Sequence, residues 1–509
     1  MKDNYNQWGE ILVVKWKTLS KVLSVGMIAS AIGLAGCSSS STTSGSKADS
    51  SAPYEVKMAY FTFGPIDSKE LASVQQEVNK ITKPKINATV KLMPLNFSAY
   101  QQQMNLMLSG SQQLDLFVGG TLMGLSNQVA RGQLIPMDDL LKKDGQDILK
   151  VIPESVVDAS KINGKSYVMP EYKEFGADYG IELRKDLVDK YHIDLTKIKT
   201  WSDLEPVYAK IKAGEPNMAA IANQTQAATI AYDMVTGIFD GLGDTFGVVN
   251  MVQKSTKVVN LYGTEEYKSA VNMVHDWYQK GYVVKDAATN QQTGSQLAAA
   301  GKTFSYTSNM KPGFDVQETQ ANKTPMIGVH LTPAWAMTSG ANGFGMSIPK
   351  NSKNPEKAMQ FLNLLYKDKD LENLVANGIE GKHYTKNADG TITIKPNGGY
   401  SLNEWEIGNN ALTDVYQGNP TDIWDQYKKF NDSLVPSPAY GFTFDSTNVK
   451  SQVAAVTNVA NQYRAGLETG TTDPDKTLPK FIDALKAAGI NDIIAEKQKQ
   501  LDAFLKTKK

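Results

Sequence analysis

Strand and helix periodicities alternate along the chain, and that alternation narrows the fold more than any other feature. In YEVKMAYF (54–61), Val56, Met58 and Tyr60 fall on one face at a spacing of two, which predicts a strand. Residues 67–82 follow with Leu71, Val74 and Val78 at helical spacing, and Pro84 marks the expected stop. INATVKLMPL returns as a strand, and Ser98 is placed to cap a helix running through Met104, Met107 and Leu108 to Gly110. LDLFVGG then reads as a short buried strand ending in glycines. Strands separated by helices of this length form βαβ units and a mainly parallel sheet.

A second α/β region begins after KINGKSYVMP, where GADYGIELRKDL reads as a strand leading into a helix. TWSDLEPVYAKIKAG and TEEYKSAVNMVHDWYQKG are helical, and Trp277, beside Val274 and Tyr278, is expected in the core. NADG between KHYTK and TITIKP predicts a hairpin turn. At the C-terminus, Leu478, Phe481, Ile482 and Leu485, then Ile493, Ile494, Leu501 and Leu505, mark two amphipathic helices whose apolar faces pack on the body.

The N-terminus has a different character. Lys2, Lys15, Lys17 and Lys21 precede an apolar stretch from 22 to 34 that is short for a bilayer span of about 20 residues. Basic residues, a short apolar run and small residues at the end describe a secretory signal. Leu34-Ala35-Gly36-Cys37 looks like a bacterial lipobox, in which Cys37 becomes the acylated first residue of the mature protein. Cys37 is the one cysteine of 509 residues, so no intramolecular disulfide is available. The serine-rich 37–53 that follows offers almost nothing to offset ordering entropy and reads as a flexible tether. Removing 1–36 leaves 49 basic and 51 acidic residues, and this balance gives no support for nucleic acid or an anionic lipid surface as partner. A mature chain of this length is too long for one compact core, so two lobes or more are expected.

Catalytic motifs are scarce. Gly301-Lys302-Thr303 resembles the end of a phosphate-binding loop, but Gln296 stands where that loop needs glycine. His192, His275, His330 and His383 have no ligand-pair spacing, and no GxSxG elbow occurs. Two carboxylates would suffice for a glycosidase, and the acids near Glu171, Glu174, Asp178 and Glu182 leave that alternative open.

Signal, lipobox, tether and α/β lobe, with GKTFSYTSNMKPG and, at a distance, GFGMSIPKNSKNPEKAMQFLNLLYKD, resemble the extracellular solute-binding proteins, family 1, of ABC sugar importers. VANGIEGKHY and the region from GFTFDSTNVK to the last helix look like the subgroup with an extra C-terminal domain of unknown function. The resemblance implies a type II periplasmic-binding-protein-like fold: 54–175 with 308–342 as one lobe, 176–307 with 343–430 as the other, and 431–509 as a helical extension. It also implies a monomeric, non-enzymatic receptor that needs no cofactor and no metal. The receptor would be lipid-anchored on the outer face of the bacterial membrane, and would capture an oligosaccharide and deliver it to permease subunits. A peptide or other small solute on the same fold is the alternative ligand.

Ligand contacts are then expected in loops at the strand ends. Sugars need flat rings for their C–H faces and polar groups for their hydroxyls. The candidates are Phe61 and Phe63 with Gly64 after the first strand, Thr121 with Gly120 after LDLFVGG, and Glu171, Tyr172, Phe175 and Tyr179 at the first crossing. Asn309 follows at the second crossing. Trp335 in TPAWAMTSG and Trp405 in SLNEWEIGNN are the candidate platforms, with Glu404 or Glu406 as hydroxyl partners.

Overall fold

The computed structural model describes residues 52–508 except Ser401. The expected signal, Cys37 and most of the tether lie outside the described residues. The first sheet has the strand order Gly345–Ser347, Leu116–Gly119, Tyr54–Thr62, Ala88–Asn96. Tyr54–Thr62 runs parallel to Ala88–Asn96 from Tyr54↔Ala88 to Thr62↔Asn96, and parallel to Leu116–Gly119. The connecting helix Ser68–Ile86 starts at Asp67, whose carboxylate accepts from the N–H groups of Lys69 and Glu70, and it buries Val74 and Val78 on the sheet. Pro84 does not stop it. Only one late helical bond is lost there, and the helix ends two residues on at Ile86, capped by Asn87 in a left-handed conformation (φ 47°). The next helix, Phe97–Ser109, is capped by Asn96 rather than Ser98.

The second sheet has the order Ala219–Ala222, Thr303–Met310, Asp178–Arg184, Met326–His330. Thr303–Met310 is parallel to Ala219–Ala222 and antiparallel to Asp178–Arg184, which is antiparallel in turn to Met326–His330. Trp277 is fully buried in the helix Glu265–Gln279 as expected. NADG joins the antiparallel strands Tyr384–Lys386 and Ile392–Ile394.

These pairings correct the expected division into lobes. Thr303–Met310 is an inner strand of the second sheet, not a return crossing, and 308–329 therefore belong to the second lobe. Gly345–Ser347 pairs with Leu116–Gly119, and Ala341, Met346, Phe361, Leu365, Val375 and Ile407 join the first core. The reason is physical: a buried strand reads the same from sequence wherever its hydrogen-bond partners lie. The C-terminal helices Lys450–Glu468, Pro474–Ala487 and Ile490–Thr507 pack on the second lobe, with Val456, Leu467, Phe481, Leu485 and Ile493 joining its core.

Candidate functional site

The chain passes between the two cores three times, after Phe175, after Val329 and after Tyr440. Trp335 lies where these passes meet. Its backbone N–H donates to Ala177 (2.9 Å) and Ala177 donates back (3.1 Å), while the strand Trp335–Ala336 pairs in parallel with Val435–Pro436. A Cβ at Gly176 would collide with the Trp335 carbonyl, so only glycine permits this approach. The Trp335 indole is 5% exposed and donates to the Gly237 carbonyl at 3.0 Å. It anchors the crossing between the lobes, and its expected role as a sugar platform is corrected: its ring is buried and its N–H is already bonded.

An aromatic group caps the carboxyl ends of the first-lobe strands, the edge where open α/β sheets bind ligands. Buried Phe61 is its base. Phe97 lies 5.0 Å from it, Trp405 5.6 Å and Phe63 5.7 Å, ring centre to ring centre, and Phe344 stands 5.3 Å from Trp405. Phe63 is 61% exposed and Trp405 half-buried. From Trp405 a cavity of about 330 Å³ opens between the lobes. The first lobe lines it with Asn403, Glu404, Trp405 and Tyr416, and Trp424 and Tyr427 come from the helix Ile423–Ser433. The second lobe contributes Lys311 and Gln317, at the end of Thr303–Met310 and in the following helix, and Glu174 comes from the first crossing. The Trp424 indole N–H donates to the Thr413 carbonyl at 3.2 Å, which fixes its ring plane on that wall.

Burial governs the charges here. It pushes the Glu404 carboxyl up to about 7, against a hydrogen bond from Thr413 at 3.1 Å. Burial also acts on Glu174, but Lys311 and Lys173, both at 3.7 Å, prevail and hold it below the usual carboxylate range. Glu171 is 1% exposed, neither of its carboxyl oxygens has a hydrogen-bond partner, and burial raises it to about 7. The cavity is thus aromatic on one wall and hydrogen-bonding throughout, with one ammonium shared between carboxylates.

The expected site residues divide accordingly. Trp405 and Glu404 line the cavity, and Phe63 presents an exposed ring beside Trp405 at 6.4 Å. Phe61, Phe175 and Glu171 are buried, which corrects their expected exposure to ligand: Phe61 supports the platform, and Phe175 packs in the first core. Tyr172 is half-buried, its backbone bonded to Gly408 and Asn410. Thr121 donates to the Asn342 carbonyl at 3.2 Å, and Asn309 accepts from Gln224 at 3.1 Å. Half-buried Tyr179 donates its backbone N–H to Thr332. None of these four lines the cavity. Sequence reasoning did not select Lys311, Asn403, Tyr416, Trp424 or Tyr427. The one readable signal was Trp424 and Tyr427 at i, i+3 on a hydrophilic helix.

Two α/β lobes, three connecting passes and a polar–aromatic cavity between them define a solute-binding protein of type II architecture. The chain belongs to the family of bacterial extracellular solute-binding proteins, whose family model matches residues 66–372. Residues 438–506 match a domain of unknown function, DUF3502, so both parts of the family resemblance hold. A carbohydrate ABC transporter substrate-binding protein of Streptococcus pneumoniae is 29% identical, over 97% of this chain and 99% of that protein. The polygalacturonan/rhamnogalacturonan-binding protein YtcQ of Bacillus subtilis is 24% identical over 48% of this chain and 50% of its own length. The crystal structure of the N-glycan transport solute-binding protein NgtS of Streptococcus pneumoniae has a TM-score of 0.80 to this chain at 25% identity, covering 90% of it and 100% of NgtS. Its complex with Man5GlcNAc has a TM-score of 0.69 at 26% identity, covering 90% and 99%. These relatives are binding proteins, two of them named for transport.

Proposed function

We propose that this protein is a lipid-anchored receptor that captures an oligosaccharide between its lobes and presents it to the permease of an ABC importer. The observation that carries this reading is the interlobe cavity, where Trp405, Trp424 and Tyr427 supply ring surfaces and Asn403, Glu404 and Lys311 supply hydrogen-bonding groups. Sugars match that combination, with apolar C–H faces ringed by hydroxyls. Three passes of the chain between the lobes allow them to close on a ligand, and a permease can recognise the closed form. The glycan complexes of NgtS make N-glycan-derived oligosaccharides the first ligands to test. The protein works as a monomer, with the lipid on Cys37 holding it to the outer face of the membrane.

The test is the melting temperature of the chain from Ser38 onward against neutral oligosaccharides, N-glycan fragments and short peptides. A ligand at 100 times its Kd adds about 2.7 kcal/mol of stability, a shift of a few degrees. A shift with one glycan series and none with peptides is expected, and a shift with peptides alone would overturn the carbohydrate reading. For the anchor, Cys37→Ser in the intact cell is expected to move the protein from the membrane pellet to the medium. Retention of the variant in the pellet would sink the lipid-anchor reading.

A further inference from the structure

Glu406 ends the loop that carries Trp405, and the binding role above makes no use of it. It is fully buried. One carboxyl oxygen accepts the backbone N–H of Phe61 at 3.2 Å, at the end of the strand Tyr54–Thr62, and the other accepts from the side-chain amide of Asn403. The loop is thereby stapled to the strand whose Phe61 ring underlies Trp405 at 5.6 Å. We propose, on the carbohydrate-binding reading above, that Glu406 is the positioning residue for the Trp405 platform and acts as a neutral acid. Its ionisation loosens the platform and weakens capture of ligand.

The surroundings favour the neutral form. Tyr60 faces Glu406 from the strand Tyr54–Thr62, Tyr100 from the helix Phe97–Ser109 and Glu171 from the first crossing; Asn403 comes from its own loop. Among the described residues no ammonium or guanidinium acts on it. A carboxylate there would be desolvated, near a second acid and without a cation. Burial, with a smaller contribution from Glu171, pushes the carboxyl up to about 8 despite the bonds from Asn403 and Phe61. Because the folded-state value is raised, the neutral, stapled form prevails below it and is lost as the pH rises through it.

Two readouts test this at pH 6 and pH 9. The first needs no ligand: the fluorescence of Trp405, taken as wild type minus Trp405→Phe, is expected to shift to the red at pH 9 as the platform leaves Phe61. The second is the affinity for a neutral N-glycan fragment. It is expected to fall about tenfold at pH 9, since about one tenth of the sites then hold the neutral acid. Glu406→Gln keeps the acceptor for Phe61 and cannot ionise, so both responses should shrink to whatever Glu171 and Glu404 contribute. Glu171 and Glu404 titrate in the same range, and the Gln variant separates them from Glu406. Glu406→Leu leaves the Phe61 N–H unpaired, and weak binding at both pH values is expected. A pH-independent wild type, or a Gln variant that follows the wild-type course, would overturn the proposal. A fluorescence response of the expected form with no glycan bound at any pH would uphold the positioning role and overturn the carbohydrate reading instead.

Discussion

Trp405→Ala is expected to weaken oligosaccharide binding by about ten- to a hundredfold, the equivalent of roughly 1.4–2.8 kcal/mol, while the protein still folds. Trp405 is the half-buried ring that both joins the aromatic cluster and lines the interlobe cavity. Truncation removes the flat surface against which a pyranose C–H face would rest, and it leaves Glu404 with no neighbouring ring to orient the sugar. The accompanying loss of stability is expected to be about 1–3 kcal/mol, because Phe61 and Phe344 lose a packing partner, but Phe61 keeps Phe97, Phe63 and Tyr100, and Phe344 keeps Phe61. Trp405→Phe should recover most of the affinity. Titration calorimetry on both variants, with urea unfolding alongside, separates the two effects. Undiminished affinity in Trp405→Ala would move the sugar platform to Trp424 and Tyr427 of the same cavity.

The local architecture was legible in the sequence, because burial sorts residues by periodicity within each element. Val56, Met58 and Tyr60 are fully buried in their strand, and Leu478, Phe481 and Leu485 are buried in their helix, as their spacing implied. What depends on distant partners was not legible. Thr303–Met310 has the composition of a buried strand, and nothing local says that its neighbours are Ala219–Ala222 and Asp178–Arg184 rather than strands of the first lobe. Trp335 and Trp405 stand in similar loops, yet one is sealed by the Gly237 carbonyl, 98 positions away, and the other lines the cavity. Lys311 lies two residues beyond Asn309, which was selected, but past the end of the strand Thr303–Met310, where the strand's alternation no longer says which way a side chain faces.

Glu468→Ala is expected to destabilise the protein by about 3–5 kcal/mol, the loss typical of removing one partner from a buried ion pair. Glu468 is fully buried at the end of the helix Lys450–Glu468. Its carboxylate accepts from Arg464 Nε at 2.8 Å and Nη2 at 3.1 Å, from the Thr229 hydroxyl at 2.6 Å and from the Tyr267 hydroxyl at 3.1 Å. Thr229 immediately precedes the helix Ile230–Thr236, Tyr267 belongs to Glu265–Gln279, and Arg464 lies over the Tyr232 ring at 5.0 Å. One carboxylate therefore ties the C-terminal helices to two helices of the second lobe. The alanine variant strands the Arg464 guanidinium and two hydroxyls together, whereas Glu468→Gln keeps the shape and should lose less. The double variant Arg464→Met, Glu468→Met removes both charges and is expected to recover part of the stability, because paired apolar replacements avoid the desolvation penalty. The C-terminal helices share a core with Val271 and Trp277, so urea unfolding followed by circular dichroism should show one transition at lower midpoint, not a separate early loss of the C-terminal helices. A loss below about 1 kcal/mol, the size of an ordinary surface substitution effect or little more, would mean that the apolar contacts of Leu467, Phe481 and Leu485 hold the C-terminal helices without the carboxylate.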